Sequence, residues 1–282
     1  MGPFPHDAPH AVICDENPAG TDGFEFVEFA HPDPYVLRDL FSRMGYTHVA
    51  THREKAIEVW QQGDITYLVN ADPASHAAEF AEAHGPCAAS MGWRVVDAKH
   101  AFDHAVAKGA IPYDGDGKVM DVPAIHGIGG SLIYFIDQYR NNSPYNAEFG
   151  WIHNAYPCGV GFHYLDHLTH NVFRGNMDVW FRFYGDLFNF REIRYFDIEG
   201  KLTGLVSRAM TSPCGRTAIH LAAHSGHDQA PSRGAFSNHD AQGSTPAQYG
   251  EQAGVSRNVV FTCDCRVAVP RKAMAKCAIV DV

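Results

Sequence analysis

Alternating and helix-spaced apolar positions divide the first 212 residues into three similar units. Each unit has the pattern of a strand, an amphipathic helix and then two or three further strands, and the units begin near Gly23, Met91 and Gly161. The clearest helix follows Met177, where large apolar side chains recur on one face as far as Phe188. This internal repeat predicts an α+β fold of βαβββ modules, with curved antiparallel sheets and one helix on each sheet.

The same periodicity predicts the individual elements. In chain order they are a helix over 36–44, hairpin strands over 56–61 and 65–70, a helix from Asp72 to His84, a helix from Asp97 to Lys108, strands over 118–123 and 131–137, and a hairpin around Glu199-Gly200-Lys201. Aligning His31 with His170 superposes the first unit on the third and places Glu28 at the position of His167. A carboxylate on such a strand is expected to face solvent.

The composition changes after Ser212. The last 70 residues hold one leucine, no tryptophan and three aromatic residues, with seven basic and five acidic groups. So few large apolar residues predict an irregular or disordered segment, because there is little to bury. We therefore expect a double-module domain over 1–150, a partial third module over 151–212, and a tail over 213–282 that is outside the repeat.

Charge and targeting signals exclude several classes of function. The net charge is −10 and no basic stripe is present, which argues against a nucleic-acid partner. No apolar run approaches the roughly 18 residues of a membrane helix. The N-terminus does not resemble a secretory signal, and the seven cysteines are scattered without a disulfide pattern, so a cytoplasmic protein is expected.

Histidines supply the main candidate chemistry. His167 and His170 lie on one predicted strand, three residues apart, so they should point to opposite faces and cannot bind one metal ion as a strand pair. They are equally consistent with polar residues satisfied at a strand end. Cys263-Asp264-Cys265 could contribute to a zinc site, but no second cysteine pair has usable spacing. Gly127–Gly130 precedes a strand instead of a helix, and it predicts a turn and not a phosphate loop.

Several longer motifs occur in a fixed order. They are NPAGTDGFEFVEFA near the start, then Tyr164-Leu165-Asp166-His167-Leu168-Thr169-His170-Asn171-Val172, Leu187-Phe188-Asn189-Phe190-Arg191-Glu192, Arg194-Tyr195-Phe196-Asp197-Ile198 and Leu202-Thr203-Gly204-Leu205. Together they resemble the 4-hydroxyphenylpyruvate dioxygenase family of the vicinal oxygen chelate superfamily. The resemblance covers about residues 10–215. It agrees with the repeated module inferred from periodicity.

The resemblance implies an Fe(II) enzyme whose metal is held by two histidines and one glutamate. By the same resemblance, residues 151–212 are the first part of the catalytic metal-binding domain, His167 is the first iron ligand and Ser207 belongs to the substrate pocket. The substrates would be 4-hydroxyphenylpyruvate and O₂, the product homogentisate, and the pathway tyrosine catabolism. By the resemblance, relatives associate through the N-terminal half, which is compatible with a homo-oligomer, whereas the sequence itself does not give the oligomeric state.

The sequence departs from the family after Gly215. It has Ile219-His220-Leu221-Ala222 where the family has a strand ending in Pro-Leu-Asn, so Ala222 replaces a pocket asparagine. The family's second histidine and glutamate ligands are not found. His220, His224, His227 and His239 are not expected to replace them, because precise sites need rigid support.

The departure leaves three alternatives to the dioxygenase activity. One is the sibling reaction that forms hydroxymandelate from the same substrate, the second is a non-enzymatic module that binds small aromatic acids, and the third is an inactive fragment. We interpret the abrupt change of composition as a frameshift or a recombination in the gene, which gives an unrelated reading frame after about Cys214.

Overall fold

The computed structural model describes residues 9–139, 143–157, 159–173, 175–198, 205–224, 262–267 and 276–278. Within these ranges the α-helices are α1 (Pro34–Arg43), α2 (His76–His84), α3 (Ala98–Ala107) and α4 (Met177–Phe188). The strands are β1 (Thr21–Ala30), β2 (Thr47–His52), β3 (Ile57–Gln62), β4 (Ile65–Asn70), β5 (Cys87–Val95), β6 (Ala124–His126), β7 (Leu132–Ile136), β8 (Phe149–Trp151), β9 (Phe162–Leu165), β10 (His167–Asn171), β11 (Arg191–Ile198), β12 (Leu205–Thr211), β13 (Ala218–His224), β14 (Thr262–Val267) and β15 (Lys276–Ala278).

The first two modules share one eight-stranded sheet, in the order β6-β7-β5-β1-β4-β3-β2-β8. In the first module β1 is parallel to β4, and in the second β5 is parallel to β7. The two modules join where β1 pairs antiparallel with β5. The α+β class and the repeated modules are confirmed. The sheet is mixed instead of purely antiparallel, because the last strand of each module returns beside its first strand.

Local elements match the predictions unevenly. The hairpin of β3 and β4 forms as predicted. Strand β2 was not predicted. The predicted strand over 118–123 is wrong, because these residues lie in an irregular segment before β6. Helix α2 begins at His76 and not after Asp72. Ser75 is the N-cap, and its hydroxyl accepts a hydrogen bond from the backbone N–H of Ala78 at 3.1 Å.

The sheet of the third module continues past Ser212, the limit expected for it, as far as β13. The module consists of β10, α4, β11, β12 and β13, with the sheet order β10-β13-β12-β11. Strand β13 lies parallel to β10, as β4 lies beside β1 in the first module. Alternate residues along β13 are apolar and buried, namely Ile219, Leu221 and Ala223. One face of β13 is therefore apolar, although this segment is poor in leucine.

Strands β14 and β15 also lie after Ser212, and β14 pairs antiparallel with β9. The tail prediction is therefore wrong for β13, β14 and β15. Most of the remaining tail, and the predicted turn at Glu199-Gly200-Lys201, lie outside the described residues. The two strands that flank that turn, β11 and β12, pair antiparallel as predicted.

An aromatic cluster joins the third module to the N-terminal sheet. Trp93 of β5 is fully buried, and its ring centroid lies 4.8 Å from that of Phe188 and 5.4 Å from that of Phe190. Phe183 and Tyr184 of α4 are buried in the same cluster. Packing of this size contributes strongly to stability and holds α4 and its sheet in place. No helix among the described residues is long and apolar enough to span a lipid bilayer.

Candidate functional site

The four-stranded sheet of the third module has one face on α4 and one face turned away from it, which we call the distal face. Leu168 and His170 of β10 are buried on the α4 side, where the His170 ring lies 5.9 Å from that of Tyr184. His167 lies on the distal face, where its ring contacts His220. The predicted opposite orientation of His167 and His170 is confirmed.

His167 and His220 form a stacked pair on the distal face. Their ring centroids are 4.0 Å apart and their planes differ by 15°. The pairing follows from strand register, since Thr169 is directly opposite His220 and His167 is two residues before Thr169. The expectation that His220 would have no scaffold is wrong, because β13 is held between β10 and β12.

A carboxylate orients His167. The Nδ1 atom of His167 lies 3.1 Å from Oδ2 of Asp166, and the His167 side chain is 12% exposed. A carboxylate on Nδ1 favours the proton there and leaves Nε2 as the free lone pair, the arrangement typical of metal-binding histidines. Burial, followed by the neighbouring His167, lowers the pKa of His220 to about 4, so His220 is neutral at neutral pH.

The strand next to β13 brings Ser207 to the same face. Ser207 is directly opposite Ala222, and Ala209 is directly opposite His220. Ser207 and Ala222 are 8% and 7% exposed. Further along the sheet, Arg194 and Phe196 of β11 pair with Ala209 and Ser207.

The distal face therefore combines imidazoles, a hydroxyl, a guanidinium and a phenyl ring over a floor of small side chains. Directly opposed residues in antiparallel strands point to the same side, so β11, β12 and β13 contribute to one surface. Such a surface offers donors to an anion and an apolar contact to an aromatic ring.

The first module has a corresponding pair at Glu28. Glu28 lies opposite Leu68, and Leu68 precedes Asn70 by two residues. In the same way His167 lies opposite Ala218, and Ala218 precedes His220 by two residues. The Asn70 side-chain amide donates a hydrogen bond of 2.6 Å to Glu28, and the Ser90 hydroxyl donates another. The solvent-facing expectation for Glu28 is wrong, since it is 1% exposed. Burial raises its pKa, although both hydrogen bonds oppose the shift.

The described residues do not form the iron site that the family resemblance implies. Among them, no group of three His, Cys, Asp or Glu side chains is placed to hold a metal ion. Fe(II) sites of the two-histidine, one-carboxylate type need three converging ligands. The side chains of His224, Cys263 and Cys265, and all of His227 and His239, lie outside the described residues. The glycines at 127–130 form a short 3₁₀ turn before β7, as predicted for a turn.

Two buried histidines away from the distal face make the protein sensitive to acid. Burial lowers the pKa of His170 to about 3 and of His76 to about 4. An unfolded histidine titrates near 6.5, so stability is lost as the pH falls from about 6.5 towards 4. At pH 5 each histidine is expected to cost about 2 kcal/mol relative to pH 7.5.

Urea unfolding of the wild type and of His76→Asn at pH 5 and 7.5 measures this effect. In this pH range, unfolding of the His76→Asn variant should take up about one proton fewer than unfolding of the wild type. His153→Asn, at an exposed site, is the matched control. Above the pKa that Glu28 has in the unfolded chain, Glu28 makes the free energy of unfolding fall as the pH rises, which is opposite to the effect of the histidines. The test therefore compares each variant with the wild type. The prediction would be contradicted if the free energy of unfolding depended on pH equally in the wild type and in His76→Asn.

Comparison with known proteins identifies the fold and its relatives. Residues 15–150 match the family model for the N-terminal part of hydroxyphenylpyruvate dioxygenase, HPPD. The chain is 52% identical over 214 residues to hemolysin VllY of Vibrio vulnificus, and this match covers 73% of the chain and 60% of the relative. It is 50% identical over 218 residues to 4-hydroxyphenylpyruvate dioxygenase of Pseudomonas aeruginosa, and that match covers 75% of the chain and 61% of the relative.

Solved structures agree. A xylose isomerase-like TIM barrel/4-hydroxyphenylpyruvate dioxygenase fusion protein superposes with a TM-score of 0.63 at 30% identity, over 76% of this chain and 32% of that protein. A mutant 4-hydroxymandelate synthase from Streptomyces coelicolor superposes with a TM-score of 0.62 over 73% of this chain and 63% of that protein. At 17% identity, this likeness shows a shared fold alone. This chain spans about 60% of the length of the curated relatives it matches. Over the part that these relatives share with it, the chain is similar to hydroxyphenylpyruvate dioxygenases.

Proposed function

We propose that the protein is a 4-hydroxyphenylpyruvate dioxygenase. The reaction takes up one O₂ for each keto acid, releases CO₂, hydroxylates the ring and forms homogentisate, using Fe(II). The observation that supports this best is the 50% identity to the Pseudomonas aeruginosa enzyme, which extends over a region long enough to include the third module. In that module His167 and Ser207 lie on one face of one sheet.

The described residues have separate tasks in this proposal. His167, fixed by Asp166, supplies one metal-ligating nitrogen. Ser207 supplies a buried hydroxyl, and Arg194 a cation for the carboxylate of the keto acid. Phe196 supplies an apolar surface for the aromatic ring. Two of the three ligands that Fe(II) needs would come from outside the described residues, so no oxygen chemistry is assigned to the residues described here.

Product analysis tests the proposed reaction. The purified chain is incubated with Fe(II), ascorbate and 4-hydroxyphenylpyruvate in air, and the products are separated by chromatography. We expect homogentisate. Hydroxymandelate instead would assign the sibling reaction, and the absence of both products from a folded sample would contradict dioxygenase activity.

One observation favours a second candidate function. Because no three-ligand group lies among the described residues, the distal face could bind aromatic 2-oxo acids without turning them over. Calorimetric titration with 4-hydroxyphenylpyruvate in the presence of a chelator separates the two functions. Binding without product would support the binding module.

A further inference from the structure

We propose that the outer edge of β11 binds β11 of a second copy of this chain, as antiparallel strands around a two-fold axis at Tyr195. In the four-stranded sheet of the third module, β11 is a terminal strand whose inner edge pairs with β12. Among the strands that the structure describes, none pairs with its outer edge. The interface lies on the third module, so it is separate from the association through the N-terminal half that the resemblance implies. It also goes beyond the proposed function.

The side chains of β11 are open to solvent on both faces of the sheet. All residues from 191 to 197 are exposed. They include three large apolar side chains, since Ile193, Tyr195 and Phe196 are 44%, 52% and 36% exposed. The backbone N–H and C=O groups on the edge of a sheet can pair with a strand of another chain. Strand β11 therefore has both the hydrogen-bonding groups and the apolar area that a partner strand requires.

The two ends of the eight-stranded sheet are protected in ways that β11 is not. At one end β2 is covered by β8, which is three residues long. At the other end β6 is covered by a bridge to Pro112, and a proline has no backbone N–H to donate. Short edge strands and prolines limit pairing with other chains. Strand β11 has eight residues and contains neither proline nor lysine, so it lacks these protections.

Symmetry and side-chain type select the register of the pairing. A two-fold axis perpendicular to the sheet pairs one residue of β11 with itself. Regular pairing with β12 runs from Arg194 to Ile198, because a register shift interrupts the ladder between Glu192 and Arg194. An axis at Arg194 would bring two guanidinium groups together, which is unfavourable. An axis at Tyr195 pairs the two tyrosine rings and places each Arg194 opposite Phe196 of the second copy, and both kinds of pair are favourable.

Arg208 distinguishes the folded module from the proposed interface. It lies directly opposite Tyr195 on β12, and it forms ion pairs with Glu192 of β11 and Asp178 of α4. Because of Arg208, a carboxylate at position 195 is compatible with the module itself. Two carboxylates at that position would repel each other across the axis. Strand β11 as a whole carries two arginines and two carboxylates, so its net charge does not oppose association of the wild type.

The test measures the mass of the full-length protein by sedimentation velocity at concentrations up to about 100 µM, because a small interface gives weak association. Tyr195→Glu is expected to halve the mass of the wild-type assembly, and Tyr195→Lys should do the same. An equal mixture of the two variants should restore the wild-type mass, because the axis then joins unlike charges. Arg182→Glu, at an exposed position of α4, is the matched control and should leave the mass unchanged.

Cysteine trapping locates the interface independently. In Tyr195→Cys, an added oxidant should form a disulfide between the two copies at position 195, because residues directly opposed in antiparallel strands are within disulfide range. Mass spectrometry identifies the linked peptides, and Arg182→Cys should give no corresponding link.

Two results would overturn the proposal. One is an equal mass for the wild type and a Tyr195→Glu variant that circular dichroism shows to be folded. The other is the absence of a link at position 195 in Tyr195→Cys, which also decides the matter if Tyr195→Glu does not fold. Product formation is not measured in either experiment, so failure of this interface is distinct from failure of the dioxygenase assignment.

Discussion

Replacement of Arg94 by alanine is expected to destabilise the protein by about 3–5 kcal/mol, because it leaves a buried carboxylate without its partner. Arg94 lies on β5, and its Nε donates to Glu25 of β1 at 2.6 Å. Its two terminal nitrogens contact Asp64 at 2.8 and 3.0 Å. The Arg94 and Glu25 side chains are 13% and 5% exposed. Burial raises the pKa of Glu25, and only Arg94 opposes that shift strongly.

Urea denaturation at pH 7.5, followed by tryptophan fluorescence, measures the loss. Arg94→Lys should retain part of the stability, since it keeps the charge but not the two-pronged contact with Asp64. Arg43→Ala is the matched control, because its ion pair with Asp39 is exposed and worth at most about 1 kcal/mol. A similar free energy of unfolding for Arg94→Ala and Arg43→Ala would show that the buried ion pair does not hold the two modules together.

If the proposed dioxygenase function holds, replacement of His167 by alanine is expected to reduce homogentisate formation by more than about 100-fold, because it removes the proposed metal ligand and not merely a supporting group. Asp166→Asn should have the smaller effect of about 10–100-fold, since it weakens the orientation of His167 without removing its Nε2 atom. A larger loss of activity in His167→Ala than in Asp166→Asn would distinguish a ligand from the carboxylate that orients it. The measurement is kcat and KM for 4-hydroxyphenylpyruvate with saturating Fe(II).

His153→Ala serves as the control, with unchanged activity expected. His170→Gln provides a further comparison, because His170 lies on the same strand but points towards α4. Its main effect should be on the free energy of unfolding. Activity of His167→Ala close to that of the wild type would show that the distal face is not the site of the reaction.

Regular apolar spacing made the long elements predictable from the sequence. Helix α4 follows from the recurrence of large apolar residues between Met177 and Phe188, and the hairpin of β3 and β4 from alternation around Gly63-Asp64. These patterns are local and strong. The repeat of the modules then predicted the fold class, and the ordered motifs around His167 indicated the resemblance to the dioxygenases.

Non-local pairing explains what the sequence could not predict. Strand β13 contains alanine and histidine with few large side chains, and it forms because β10 and β12 hydrogen-bond to it on both sides. Glu28 is buried because Asn70 and Ser90, from two other strands, satisfy its carboxylate. The pairing of His167 with His220 has the same origin. The correspondence of Asn70 with His220 appears only in the strand register of the two modules, because the offset that aligns Glu28 with His167 in the sequence would place Asn70 on Ala209.

Two expectations stay predictions. The shift of reading frame after about Cys214 is checked by resequencing the gene, and an intact frame with this same tail would contradict it. The domain limits at 150 and 212 are likewise a proposal, although β13 already places the end of the third module at or beyond His224. Limited proteolysis that leaves a fragment ending after His224 would support the later boundary.

Oxygen consumption tests the dioxygenase assignment most directly. An oxygen electrode follows the full chain with Fe(II) and 4-hydroxyphenylpyruvate, while homogentisate is measured in the same samples. The account predicts one O₂ consumed for each homogentisate formed, with loss of both signals in His167→Ala. A folded wild-type sample that binds the keto acid but consumes no O₂ above the iron-only control would contradict it.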